Sequence, residues 1–136
     1  MVHTFDKLSS QVIAAAIEVH KRLGPGFLES IYEQALRFEL TDRGIPFQSQ
    51  KGIEVLYGDR QVGNHVLDLL VAGRLVVELK AVKQLEDIHF AQVKSYLQAT
   101  GAKVGLLMNF NSRTLDVRRV VLRFEDRPGP LSVPAE

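Results

Sequence analysis

The stretch Asp68-Leu69-Leu70-Val71-Ala72-Gly73-Arg74-Leu75-Val76-Val77-Glu78-Leu79-Lys80 leaves few folds open. It reads as two apolar strands joined near Gly73, with charge at Asp68, Glu78 and Lys80 and hydrocarbon along the strands between. Runs this apolar belong inside a sheet that is covered on both faces. Carboxylates and ammonium groups are rarely buried without a partner, because desolvating each ion costs several kcal/mol. Three of them converging inside a sheet need a reason, and a bound divalent metal is the strongest one.

A chain of 136 residues with 46% apolar composition can bury one core. One domain over residues 1–124 is expected, followed by a flexible tail, 125–136, whose prolines Pro128, Pro130 and Pro134 prevent regular packing. The net charge of +1 announces neither nucleic acid nor membrane, so such binding must come from local patches. The absence of cysteine excludes disulfides, thiolate metal sites and cysteine nucleophiles. Met1 to Asp6 lacks a signal pattern, and no apolar run approaches membrane-spanning length. A cytoplasmic protein with no membrane partner is the expectation.

Leu8, Val12, Ala15, Ala16, Val19 and Leu23 recur at helical spacing, and Gly24-Pro25-Gly26 ends that helix. A second helix is expected from Phe27 to Arg43, with the stripe Leu28, Ile31, Ala35 and Phe38 flanked by Tyr32, Leu36 and Leu40, and Gly44 as its cap. Strands follow at Ile53–Tyr57, Gln61–Val71 and Leu75–Lys80, then a helix over Asp87–Thr100. Val104–Met108 reads as a strand buried on both faces, and Leu115–Phe124 as a last strand. Three sequential strands suggest an antiparallel meander, and the helical crossover before Val104 a parallel neighbour. The fold class is therefore α/β, a mixed sheet with helices packed on it.

Side chains alternate along a strand, so Glu78 and Lys80 share a face. Asp68 joins them only if the turn at Gly73 leaves an odd number of unpaired residues, because a one-residue slip flips every side chain. A three-residue loop with Gly73 left-handed is expected. Two carboxylates on one face repel unless one protonates or a cation sits between them. Oxygen ligands of this kind suit Mg²⁺ or Mn²⁺, and Lys80 beside the metal would orient water or neutralise charge at phosphorus. A bare Glu-x-Lys is ordinarily a pair on a solvated edge strand, but the apolar run from Leu69 to Val77 argues against an edge.

Glu29 shares a stripe with Tyr32 and Leu36 and lies in the first helical turn, where the dipole alone favours an acid. Gln92 and Tyr96, four apart, project together; Gln92 can bond a phosphate or a water on the metal, while Tyr96 offers a hydroxyl, a stacking ring or simply a cap on the core.

Gly26-Phe27-Leu28-Glu29-Ser30-Ile31-Tyr32 carries the pattern G-x-x-E-x-x-Y. With Asp68, Glu78-Leu79-Lys80 and Gln92-Val93-Lys94-Ser95-Tyr96, the chain resembles the GxxExxY protein family of the PD-(D/E)XK nuclease superfamily, in its RecB-like branch, over residues 5–122. The resemblance implies a restriction-endonuclease-like α-β-β-β-α-β core with an extra N-terminal helix and a C-terminal strand, and a Mg²⁺-dependent phosphodiesterase site. By it Asp68 and Glu78 are metal ligands, the Leu79 carbonyl a third, and Lys80 the catalytic lysine. Glu29 matches the acid of the first core helix, reaching the metal through water, and Gln92 and Tyr96 match a Q-x-x-x-Y motif that contacts site and DNA. Two departures stand out: His65-Val66-Leu67-Asp68 replaces the usual Tyr-x-Ala-Asp, and no Pro precedes Asp68.

Tyr32, Lys83 and Lys94 are further expected contacts to nucleic acid, DNA before RNA. Arg113, Arg118, Arg119, Arg123 and Arg127 could track a phosphate backbone, but a solvated strand guarded against edge pairing explains them equally well. His20, His65 and His89 lack zinc spacing and read as structural or surface residues. A net-acidic pocket must borrow its attraction for nucleic acid from metal and flanking Lys or Arg, and in a chain this small sequence specificity is expected to be poor or supplied by a second subunit or a protein partner. The alternative is a nucleic-acid-binding or regulatory module that keeps the fold with little catalysis.

Overall fold

The computed structural model describes residues 6–122. In chain order the elements are α1 (Lys7–Leu23), α2 (Glu29–Asp42), β1 (Phe47–Tyr57), β2 (Arg60–Val71), β3 (Leu75–Lys80), α3 (Asp87–Thr100), β4 (Val104–Asn109) and β5 (Asp116–Val121). The strands form one sheet in the order β1-β2-β3-β4-β5. Only β3 and β4 run parallel, joined by the α3 crossover, as expected of the mixed sheet.

Layering follows from the pleat. Leu75, Val77 and Leu79 of β3 pack with α1 and α2, whereas Val76 packs with Val93, Tyr96 and Leu97 of α3. With both faces covered, β3 and β4 are the near-continuous apolar runs that burial demands, and β3 is central rather than an edge. α3 packs tightly on the sheet at Gly105, where an added Cβ would stand 2.7 Å from Val93 Cγ1.

Capping sets the helix limits. Asp6 accepts from the Ser9 amide at 2.8 Å to start α1. α2 ends in a Schellman motif: Gly44 is left-handed (φ 72), Ile45 N–H donates to the Leu40 carbonyl, and both Leu40 and Ile45 are buried.

Three expectations need correction. The buried stripe of α2 is Tyr32, Leu36 and Leu40, while Leu28, Ile31 and Phe38 face solvent. Both stripes have helical spacing. Tyr32 decides between them, because its hydroxyl finds two backbone partners and its ring stacks on Phe110 at 4.8 Å. β1 begins at Phe47, not Ile53: Gln48 and Ser49 pair with Leu70 and Leu69, since an edge strand with one wet side tolerates polar residues. β5 covers Asp116–Val121 instead of Leu115–Phe124; Arg123, Arg127 and the proposed tail 125–136 lie outside the described residues.

Candidate active site

Ala72, Gly73 and Arg74 form the β2–β3 loop, an odd count, with Gly73 at φ 67 and Ala72 at φ 51. The pairs Val71↔Leu75, Leu70↔Val76 and Leu69↔Val77 follow, and the next step sets Asp68 opposite Glu78. There the ladder changes character. Asp68 N–H donates to Glu78 Oε1 at 3.3 Å, and Leu79 N–H donates to Asp68 Oδ2 at 2.9 Å. Carboxylates have taken the place of ladder carbonyls, so the strands part around two acids.

The break continues into β1. Ser49↔Leu69 and Lys51↔Leu67 are paired, but Gln50, opposite Asp68, is not, and its φ of 50 is unusual for a residue with a Cβ. Gln50 Nε2 donates to both carboxylate oxygens of Glu33 on α2, at 2.8 and 3.0 Å, and the Gln50 side chain lies beside Asp68. Leu67 and Leu69, two residues apart, consequently pack into opposite layers. Strand alternation fails at Asp68.

Lys80 Nζ donates to Gln92 Oε1 at 3.2 Å and stands 3.9 Å from Glu78 Oε2. Glu29, the first residue of α2, is half-buried and lies beside the Ala81 amide within reach of the Lys80 charge. The loop after β3 is clamped from β4: buried Asn109 accepts from Val82 N–H and donates to the Val82 carbonyl, at 3.1 and 2.9 Å.

Three carboxyl groups, Asp68, Glu78 and Glu29, therefore share one ammonium, and a fourth, Glu33, borders Asp68. Burial, then the charge of Asp68, push the Glu78 carboxyl up to about 8. Asp68, Glu29 and Glu33 are raised as well, each chiefly by burial. Burial, with the charges of Glu78 and Asp68, lifts the Tyr96 hydroxyl to about 12. Such a cluster calls for a proton or a cation between the acids.

The expected site residues thus meet with two exceptions. Asp68, Glu78, Lys80, Gln92 and Glu29 converge, with the Leu79 backbone at the centre. Tyr32 is fully buried, so it is no nucleic-acid contact; its hydroxyl donates to the Gly24 carbonyl at 2.6 Å and accepts from Phe27 N–H at 3.1 Å, pinning the loop that starts α2. Tyr96, only 4% exposed, meets His65 edge-on and packs α3 to the sheet, leaving no open face for a base. Lys83 is exposed and Lys94 half-buried. His20 holds Ser112 of the β4–β5 loop, and His89 caps α3 through the Glu86 amide, both structural roles as expected. Sequence reading missed Glu33, Gln50 and Asn109. Glu33 had a signal, one turn beyond Glu29 on the same helix face.

A profile of the PD-(D/E)XK nuclease superfamily matches residues 6–120. The chain belongs to the PD-(D/E)XK nuclease superfamily. No match was found among curated proteins or solved structures. The five-stranded mixed sheet with its three helices is the restriction-endonuclease-like architecture of PD-(D/E)XK nucleases, whose substrate is nucleic acid and which generally use divalent metal ions. Among the described residues of this PD-(D/E)XK domain, no helix is long and apolar enough to cross a membrane.

Proposed function

We propose that the chain is a divalent-metal-dependent nuclease of the GxxExxY kind, hydrolysing phosphodiester bonds of DNA at the Asp68–Glu78 pair. The observation that carries the reading is the opposed carboxylates at the parting of β2 and β3, with Lys80 held beside them by Gln92.

The donor set fits Mg²⁺ or Mn²⁺. Both acids supply hard oxygens from opposite strands, and burial raises both carboxyls, Glu78 further through the charge of Asp68, so a cation between them would relieve both. Among the described residues no group of three or more His, Asp or Glu forms a complete ligand cage. A partial set of one or two carboxylates, completed by water and substrate phosphate, is how Mg²⁺ usually binds. Asp68 and Glu78 would hold the ion, with the Leu79 carbonyl as a third oxygen and Glu29 acting through water. A bound ion supplies charge that polarises the phosphoryl group and favours deprotonation of the attacking water.

The remaining work falls to the chain. Lys80 Nζ, anchored by Gln92 Oε1, donates a hydrogen bond to the attacking water or to a phosphoryl oxygen as negative charge grows on it. Glu29 lies beside the Ala81 amide, against the backbone that carries Lys80. Gln50 and Glu33 keep Asp68 turned toward Glu78. Lys83 and Lys94 supply phosphate contacts that offset the acidic pocket.

The test is incubation with single- and double-stranded DNA and RNA in Mg²⁺ or Mn²⁺, beside Lys80→Ala and Asp68→Asn. Both variants should lose about a hundredfold or more in rate. Cleavage that persists in both rejects the site, and metal binding by the native chain with no cleavage favours a binding module.

A further inference from the structure

The β1–β2 hairpin runs on past Asp68 and borders α3 across a cleft of about 370 Å³. Its walls include Glu54 and Leu56 from β1, His65 from β2, and Ser95, Gln98 and Ala99 from α3. None of these belongs to the carboxylate–lysine cluster, yet the two places share a wall. The His65 ring lies 4.9 Å from Tyr96, which stands one helical turn beyond Gln92 on α3. His65 precedes Asp68 by three residues, about 10 Å along a strand. Ser95 and Gln98 follow Gln92 by one and two helical turns, about 5 and 9 Å. A nucleotide whose phosphate sits at Asp68 and Lys80 spans that interval with its sugar and base.

The lining suits a base. His65 offers a flat ring and Leu56, 55% exposed, an apolar wall. Glu54 only accepts hydrogen bonds when ionised. Ser95 Oγ already donates to the Gln92 carbonyl at 2.6 Å, so its lone pairs are what it has left to offer. Gln98 can donate or accept. A cleft weighted toward acceptors matches a base with an exocyclic amine better than thymine or uracil.

We propose that this cleft is a nucleobase subsite that takes an unstacked, amine-bearing base next to the scissile phosphate, stacked on His65 with its amine on Glu54. Such a base is available without unpairing cost where the strand is already single, so the subsite favours single-stranded or frayed ends over intact duplex. The inference rests on the nuclease reading, and its test uses a ligand with neither phosphate nor metal.

The full chain in EDTA is titrated with cytidine and with uridine while NMR follows the His65 ring protons and the amides of Ser95 to Ala99. Cytidine should shift these signals, with uridine about tenfold weaker. His65→Ala should weaken cytidine about tenfold. Ala99→Trp, which fills the cleft from an exposed helix position, should abolish binding, and Lys80→Ala should leave it unchanged. Cytidine that leaves these signals still, or binds Ala99→Trp equally well, overturns the subsite even if the native chain cleaves DNA. Equal binding of uridine overturns the amine selection. Shifts as expected in a chain that cleaves nothing retain the subsite and remove the nuclease reading.

Discussion

Replacing Glu78 by Gln should stabilise the metal-free protein near neutral pH and do almost nothing in mild acid. The folded-state value of about 8 lies above the ordinary 4.5, so between those values the folded chain binds a proton that the unfolded chain releases. The stability Glu78 contributes is whole below about pH 4.5 and drains away as pH climbs through about 8. A rise of about 3.5 pH units corresponds to about 5 kcal/mol if Glu78 titrated alone. Asp68 titrates with it, so the part removed by one substitution is on the order of 2–3 kcal/mol. Gln keeps the acceptor for Asp68 N–H and carries no charge to desolvate. Urea unfolding in EDTA should therefore place Glu78→Gln about 2–3 kcal/mol above the native chain near pH 8, and within about 0.5 kcal/mol of it near pH 5. Added Mg²⁺ should stabilise the native chain near pH 8 and the variant much less. Equal differences at both pH values, or a destabilised variant near pH 8, would refute the electrostatic account.

Tyr32→Phe should cost about 1–3 kcal/mol in urea unfolding, because it strips the Gly24 carbonyl and the Phe27 amide of their partner. Gly105→Ala should cost about 1–3 kcal/mol by driving a methyl group into Val93, read as a lower thermal midpoint. Asn109→Ala leaves both Val82 backbone groups without their clamp and should cost about 1–3 kcal/mol, with cleavage falling as the loop after Lys80 loosens. Gln50→Gly should separate stability from activity: relief at φ 50 holds the melting midpoint steady, while loss of the link to Glu33, beside Asp68, lowers cleavage about tenfold.

The sequence made β3, β4 and the parity of the Gly73 loop legible because each rests on a local rule. An apolar run longer than an edge strand tolerates must be central, and an odd loop must bring Asp68 opposite Glu78. The face of α2 was not legible, because two apolar stripes one residue apart satisfy the same period. Only the hydroxyl partners of Tyr32, eight and five residues back in the chain, choose between them. Gln50 was hidden for a different reason. Nothing in Gln48-Ser49-Gln50-Lys51 announces a left-handed residue, since positive φ there is imposed by Glu33 and Asp68 from elsewhere in the fold. The chain's own G-x-x-E-x-x-Y stretch, Gly26 to Tyr32, gains a physical meaning from this structure. The Tyr is a strut that fixes where the helix begins, and the Glu is carried by that first turn.

The parting of the sheet at Asp68 also divides the molecule mechanically. β2 and β3 share three residue pairs, yet β1 and β2 go on pairing out to Tyr57↔Arg60 with no other strand beside them among the described residues. Amides of Leu69 to Val71 should therefore exchange with solvent only on global unfolding, while those from Ile53 to Val66 exchange through smaller openings of the hairpin alone. The acids sit on the seam between these two parts, and the exchange pattern reads how independently the outer hairpin opens.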